Sequence, residues 1–139
     1  ARDKLTLQYN KMTDAGDKAL MEAKRWSDFY FEHWNNFYDD HQIRNEFFNH
    51  MHPSLHIRFT SGKQDTGRTL LESEISNDLT YGSRTSLTQV TSSGNISVIE
   101  GTNINHPDYP DRCAPFTTLV LFRQNDIVNK AHIFDSPRP

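Results

Sequence analysis

Mostly apolar side chains in the first third of the chain recur at intervals of three and four residues. The set runs Ala15, Ala19, Ala23, Trp26, Phe29, Tyr30, His33 and Phe37. At 100° per residue these positions fall on one stripe, which predicts a helix from about Asp14 to Tyr38, capped by Thr13 or Asp14. Residues 1–13 are predicted to form an arm or short helix, and residues 14–139 a single domain.

A second short helix is predicted from His41 to His50, with Asp39-Asp40 as its cap and Ile43, Phe47 and Phe48 on its apolar side. Pro53 is expected to close this unit, because proline cannot continue a helix. The segment Leu55-His56-Ile57-Arg58-Phe59-Thr60 then alternates strictly between apolar and polar residues, which predicts a strand with one buried face.

The remaining sequence predicts one more helix and four more strands. The helix starts at Asp65, Thr66 or Gly67 and continues through Leu79. Residues 83–91, 95–105, 116–123 and 127–134 are rich in Thr, Val, Ile and Phe, as strands are. This order predicts an α+β domain whose N-terminal helices pack on a curved antiparallel sheet.

Composition and charge narrow the function classes. With 15 basic and 18 acidic residues in 139 and no basic stripe, the chain is not expected to bind nucleic acid. No apolar run approaches the ~20 residues of a membrane span, so no membrane association is expected. The single Cys113 favours a reducing, cytoplasmic location, while the sequon Asn95-Ile96-Ser97 leaves secretion open.

Three stretches resemble the NTF2-like superfamily, in its SnoaL-like and ketosteroid-isomerase-like branch. The stretch His52-Pro53-Ser54-Leu55-His56-Ile57-Arg58-Phe59 is similar to the family's proline-containing entry into its first strand, and Thr66-Gly67-Arg68-Thr69-Leu70-Leu71 is similar to the glycine before its third helix. Leu121-Phe122-Arg123-Gln124-Asn125-Asp126-Ile127, with Ile133-Phe134-Asp135 after it, resembles the family's last hairpin. The resemblance implies a cone-shaped fold that encloses an apolar pocket.

The resemblance also implies two classes of function. One is a cofactor-independent acid/base enzyme, of isomerase, cyclase or dehydratase type, acting on an apolar or enolisable carbonyl compound. The other is a non-catalytic module that binds small molecules or dimerises. Positions used by the isomerase branch fall near His33, Arg58 and Thr117, and none of them matches in residue type. A ketosteroid isomerase mechanism is therefore not supported.

Four residues are the candidates for catalysis. His33 lies within the apolar helix stripe, as a proton carrier facing the pocket or as a core histidine bonded to the backbone. His132 is the alternative proton carrier, and Arg58 is expected to anchor a carboxylate or enolate oxygen, with His56 as a relay. The opposite interpretation of His56, Arg58 and His132 is a solvent-exposed strand face.

The predicted last strand has two faces. Val128, Lys130, His132 and Phe134 are expected to line the pocket with Thr117, Leu119 and Leu121, while Tyr30, Trp34 and Phe37 form helical walls. The outward set Phe116, Thr118, Val120, Phe122, Ile127, Ala131 and Ile133 is expected to make an apolar homodimer interface. A one-residue bulge would reverse the assignment of the last strand.

A metal site is conceivable from the spacing of His50, His52 and His56, which can supply three imidazoles. Pro53 separates these rings between a helix end and a strand, so neither a metal nor another cofactor is expected. The loop of residues 106–114, stiffened by two prolines, is expected to be a pocket rim or an ordinary connection.

Overall fold

Three helices and six strands form within residues 2–136, the part of the chain that the computed structural model describes. The helices are α1 (Arg2–Asn36), α2 (His41–Asn49) and α3 (Thr69–Tyr81). The strands are β1 (Met51–Phe59), β2 (Gln64–Thr66), β3 (Arg84–Ser93), β4 (Ile96–Ile104), β5 (Phe116–Gln124) and β6 (Ile127–Asp135). The predicted α+β class, with helices followed by a curved sheet, is confirmed.

Helix α1 is longer than its apolar stripe. Trp26, Tyr30, Trp34 and Phe37 are buried, so the second half of the predicted stripe packs on the core. The helix begins at Arg2, however, and the predicted start at Thr13 or Asp14 is wrong. Residues 14–22 are exposed, and local helix preference rather than packing extends α1 through them. The division of the chain into an arm (residues 1–13) and a domain (residues 14–139) stays a prediction.

Helix α2 follows the prediction closely. The Asp40 carboxylate accepts hydrogen bonds from the amides of Gln42 (2.9 Å) and Ile43 (3.2 Å), which are otherwise unpaired donors of the first turn. Phe47 and Phe48 are buried. The cap thus fixes where α2 begins, and its apolar face fixes how it docks.

The six strands form one unclosed sheet in the order β2-β1-β6-β5-β4-β3. Strands β1 and β6 run parallel and the other neighbours antiparallel, so the sheet is mixed rather than wholly antiparallel. Strand β1 starts at Met51, and Pro53, expected before the strand, lies inside it. The pairing of β1 with β6 changes register between Met51 and His56. Proline has no backbone N–H, and its absence is tolerated at such an irregularity of the strand. Strand β2 occupies residues predicted to begin the third helix.

A bulge at Asn129 determines the faces of β6. On β5, Arg123 pairs with Val128 but Phe122 pairs with Lys130, so one residue of β6 has no partner. Val128 therefore points to the core, as Ala131 and Ile133 do. Lys130, His132 and Phe134 point to the opposite, outer face. The prediction that these three line the pocket with Val128, and that Ala131 and Ile133 point outward, is wrong for this reason.

The three helices cover one face of the sheet, called here the inner face. Its core combines aromatic residues of α1 and α2 with aliphatic residues of the strands, among them Leu55, Ile57, Ile99, Leu121 and Val128. Among the described residues, no helix covers the outer face, and none is long and apolar enough to cross a membrane.

Candidate functional site

A cavity of about 410 Å³ lies between the helices and the inner face of the sheet. Its apolar lining comes from Trp34 on α1, Leu71 and Ile75 on α3, and Leu119 and Ile133 on the sheet. This volume is within the range of small-molecule sites. The cavity is called the inner cavity below.

Asp78, on α3, brings a carboxyl group to the wall of the inner cavity. The residue is only 7% exposed. Burial, followed by the nearby Glu74 carboxylate, raises the pKa of Asp78 to about 6, while Arg112 opposes the shift. A carboxyl group that titrates near neutral pH can both accept and donate a proton there.

Arg112 and Cys113 bring the end of the 106–114 loop against Asp78. The Arg112 guanidinium lies 3.7 Å from one Asp78 carboxylate oxygen and 3.7 Å from a Glu74 oxygen. The Cys113 thiol donates to the same Asp78 oxygen at 3.7 Å, and burial, with the Asp78 charge, raises the pKa of Cys113. The thiol is therefore a weak donor here rather than a nucleophile. The loop is part of the cavity wall, as the rim prediction expected.

A chain of polar side chains lines the sheet side of the inner cavity. Asn103 donates to the Thr117 hydroxyl at 2.7 Å, and Thr117 donates to the Asp135 carboxylate at 2.8 Å. The Asn103 carbonyl oxygen accepts a hydrogen bond from Thr85 at 2.7 Å. Because each group is held by its neighbour, these polar atoms have fixed positions toward a ligand.

Three residues predicted to line the pocket do line the inner cavity: Trp34, Thr117 and Leu119. The Trp34 indole nitrogen is buried and has no hydrogen-bond partner at normal length among the described residues. The other predicted inward residues, Tyr30, Phe37, Leu121 and Val128, are fully buried in the core and do not reach the cavity.

His33 does not face the inner cavity. Its Nδ1 bonds the Phe29 carbonyl at 2.9 Å, and its Nε2 lies 3.2 Å from a Glu46 carboxylate oxygen on α2. The ring stacks on Phe29, with 4.1 Å between centroids. His33 therefore links α1 to α2, which matches the alternative of a histidine bonded to the backbone.

His56, Arg58 and His132 are brought together, but on the outer face. His56 pairs with Lys130 and Arg58 with His132 across β1 and β6. Phe134, a predicted pocket wall, is 49% exposed on the same face. Thus Arg58 and His132 are neighbours, His33 is on the other side of the sheet, and the three do not meet in one cavity.

A buried arginine joins the helices to the sheet away from the cavity. Arg123 donates to the Tyr30 hydroxyl (3.1 Å), the Ser97 hydroxyl (2.7 Å) and the Gly94 carbonyl (3.0 Å). The Tyr30 hydroxyl also lies 2.7 Å from His50 Nε2, and burial, reinforced by the Arg123 charge, lowers the pKa of His50 to about 4. His50 is therefore a neutral acceptor at physiological pH.

The three histidines weighed as a metal site have different partners. His50 bonds Tyr30, the His52 ring accepts from the Ser54 amide, and His56 bonds Gln64. No group of three histidine, cysteine or carboxylate side chains within residues 2–136 is arranged to hold a metal ion.

Sequence reasoning did not find Asp78, Asn103, Arg112 or Asp135. For Asp78 an indication existed: it follows Leu71 by seven residues and Ile75 by three, and so lies on the apolar stripe of α3. For Arg112 no local pattern exists, because the loop geometry alone brings it to α3.

Comparison with solved structures identifies the fold. An NTF2-like protein of unknown function from Burkholderia pseudomallei superposes with a TM-score of 0.57 at 15% identity, over 84% of this chain and 89% of its own. A proposed SnoaL-like isomerase from Agrobacterium tumefaciens gives 0.54 at 18%, over 87% and 99%. A proposed ketosteroid isomerase from Kribbella flavida gives 0.55 at 12%, over 81% and 84%.

No protein-family model matches the sequence, and no curated protein matches it either. The similarity is therefore one of structure. The chain has the NTF2-like fold, as the sequence resemblance implied, and a fold of this kind serves several functions.

Proposed function

From the NTF2-like fold and its inner cavity, we propose that the chain binds a small, mostly apolar carbonyl compound and that Asp78 transfers a proton to or from it. The observation that carries this proposal is the Asp78 carboxyl group, buried in the cavity wall with a pKa near neutrality. Structural neighbours proposed to be a ketosteroid isomerase and a polyketide cyclase support the reaction class only at the level of the fold.

The chemistry follows from what surrounds Asp78. Its ionised form would accept a proton from the carbon next to the carbonyl, and the electron pair left behind would move to the carbonyl oxygen as an enolate. Arg112 supplies a positive charge 3.7 Å from Asp78, and a charge there would stabilise the enolate oxygen. Return of the proton to a different carbon completes an isomerisation. Because only protons move, this reaction uses no redox cofactor.

Substrate selection would come from the two parts of the lining. Trp34, Leu71 and Ile75 would contact the apolar part of the substrate. Removal of water from around that part strengthens the electrostatic interactions at the polar end of the cavity. Asn103 and Thr117 would orient a second oxygen of the substrate. A compound with a carbonyl at one end of a compact ring system fits this division.

Deuterium exchange provides the test. β-Tetralone, an apolar bicyclic ketone, is incubated with the protein in D₂O, and loss of its α-proton signal is followed by NMR. Asp78→Asn keeps the shape of the side chain and removes the base, so the accelerated exchange should fall about a hundredfold or more. Asp111→Asn, on the exposed part of the loop, is the matched control and should exchange like wild type. Equal exchange by Asp78→Asn and wild type would refute the role of Asp78.

A second candidate is a binding module with the same cavity and no turnover. It is favoured by the fact that His33 lies apart from Arg58 and His132, and that none of them lines the inner cavity. Saturable binding of β-tetralone, with NMR shifts of the Trp34 indole but no accelerated exchange, would support this candidate over the enzyme.

A further inference from the structure

Four basic or titratable side chains gather on the outer face, on the side opposite the inner cavity. The parallel pairing of β1 with β6 places His56 beside Lys130 and Arg58 beside His132. Paired residues of neighbouring strands project from the same face, so all four surround one shallow groove of about 390 Å³. These four residues, with Gln64 and Asn129 at its ends, define the outer cationic groove.

The charges of this groove are not compensated within the described residues. Among the residues that the structure describes, no acidic side chain lines the groove, and Arg58 makes no ion pair or hydrogen bond there. Elsewhere in the chain, arginines such as Arg68 and Arg84 pair with carboxylates at 3.0 Å. The groove is therefore a positive region on a chain whose formal net charge is −3.

Aromatic rings adjoin the cationic groups. Phe122 meets the His132 ring edge to face, with 5.2 Å between centroids, and Phe134 lies on its other side at 6.4 Å. The Lys130 ammonium lies 5.1 Å from the centre of the Phe122 ring. A second depression of about 300 Å³, lined by Arg58, His132 and Phe134 among others, continues the groove.

We propose that the outer cationic groove binds an organic oxyanion, a carboxylate or a phosphate monoester, whose apolar part lies against Phe134 and Phe122. Arg58 would hold the anion through two parallel N–H donors of its planar guanidinium, the geometry that suits both groups. Lys130 would add a point charge, and His132, between the rings and Arg58, would contact both parts of the ligand. This site is separate from the inner cavity and does not depend on the function proposed for it.

The electrostatics of His132 give a direct readout of binding. Partial burial, followed by the positive charges of Lys130, Arg58 and His56, lowers the pKa of His132. Its neighbours on β5, Val120 and Phe122, are uncharged. Glu100 lies on the same face, on β4 beyond β5, and no described carboxylate is among the groups that shift the pKa of His132. A bound anion would supply the missing negative charge and raise the pKa of His132.

NMR titration of the His132 ring tests the proposal. The full chain is titrated with pH in the absence and presence of benzoate, phenyl phosphate and inorganic phosphate, and the affinity of each is measured. Benzoate or phenyl phosphate should saturate the site and raise the pKa of His132, and inorganic phosphate should bind more weakly because it cannot contact the rings. The two aromatic probes also decide between a carboxylate and a phosphate ligand.

Variants separate this site from general charge effects. Arg58 is exposed, so Arg58→Gln should fold normally while losing about tenfold or more in affinity for the better aromatic probe. Arg58→Lys should recover only part of that affinity. Lys18→Gln, which removes one positive charge from the exposed half of α1, should bind like wild type. No saturable change with any probe, equal binding by Arg58→Gln, or inorganic phosphate binding as tightly as phenyl phosphate would overturn the proposal.

Discussion

Asp78 illustrates how the burial of a single carboxyl group can lower stability. Its pKa rises from 3.8 to about 6 on folding, so between these values the folded state binds more protons than the unfolded state. The free energy of unfolding therefore decreases as pH increases through this window, and above it the ionised carboxylate is destabilising. Active sites commonly carry such a cost.

Asp78→Asn should therefore stabilise the protein at pH 7.5, by about 1–2 kcal/mol after discounting for the Arg112 charge and the open cavity. The gain should shrink as pH falls from 6 toward 4, where wild-type Asp78 is already neutral. Urea unfolding at several pH values measures it, with Asp111→Asn as the exposed control. A variant less stable than wild type at pH 7.5 would show that the Asp78–Arg112 ion pair outweighs desolvation.

Arg123 differs from Asp78, because hydrogen bonds and an aromatic ring compensate for the burial of its charge. The guanidinium donates to three oxygens and lies 4.3 Å from the centre of the Trp26 ring, and no acidic side chain among the described residues pairs with it. Neutral acceptors and an aromatic face thus replace the missing carboxylate.

Arg123→Ala should cost about 3–5 kcal/mol, because it leaves buried acceptors on Ser97 and Gly94 without their donor and opens a cavity beside Trp26. Arg84→Ala, which breaks an exposed ion pair with Asp39, should cost about 1 kcal/mol or less. Chemical denaturation of both variants, read by tryptophan fluorescence, compares the two losses. Similar losses in the free energy of unfolding would mean that the buried Arg123 hydrogen bonds contribute no more to stability than an exposed ion pair.

At the level of elements, the bulge in β6 decides which side chains reach the core. Strands β5 and β6 meet at a two-residue turn, where Asn125 and Asp126 have φ values of 53° and 63°, as a tight hairpin requires. From that turn, strict alternation would place Val128 and Lys130 on one face. The unpaired Asn129 instead allows Val128, Ala131 and Ile133 all to be buried or half-buried.

Deletion of Asn129 removes the unpaired residue, so plain alternation then keeps Val128 and Ala131 inward and Lys130 outward, and the free energy of unfolding should change by about 1 kcal/mol or less. Asn129→Ser keeps the bulge and should change stability little. Thermal melts and backbone NMR spectra of the two variants provide the comparison. A deletion variant that loses about 3 kcal/mol or more would show that the bulge itself, and not the alternation, holds Val128 in the core.

At the level of the whole molecule, no helix among the described residues packs on the outer face of the sheet. Phe116 and Phe134 are 59% and 49% exposed, and Val120 and Phe122, also on this face, are half-buried. The apolar positions of β5 on this face are those that the alternation predicts, but Ala131 and Ile133 pack inward and do not belong to it. Lys130 and His132 take their place and make the face less apolar than predicted.

We predict that the chain forms a homodimer through the part of this face around Phe116 and Val120 of β5, which leaves the outer cationic groove on β1 and β6 open, since an exposed apolar patch of this kind is typical of an interface. Val120→Glu should give a monomer in sedimentation experiments, and Ser73→Glu, on the exposed side of α3, should remain dimeric. Added salt should strengthen the dimer, because it screens repulsion between the cationic grooves of two copies. A wild-type monomer at high micromolar concentration would contradict the prediction.

Local periodicity accounts for what could be predicted of the fold. The stripe of α1 through Trp26, Tyr30 and Phe37, the Asp40 cap and the alternation of Leu55 with His56 all depend on residues close in sequence. The candidate site was predicted only in part. Trp34, Thr117 and Leu119 were placed at the cavity correctly, whereas the proposed proton carriers His33 and His132 lie elsewhere. Histidine is chemically suited to carry protons, but the residue type does not determine which way the side chain points.

The sequence by itself determined the helices, most of the strands, the α+β class and the apolar nature of the interior, because spacing and capping are short-range properties. Only the tertiary structure decided which residues surround the cavity. The side of β6 on which His132 lies depends on its pairing with β5 and β1, and a single unpaired residue reverses it. The environment of Asp78 includes Arg112 and Cys113, more than thirty residues later in the chain, whose approach opposes the rise in its pKa that burial causes.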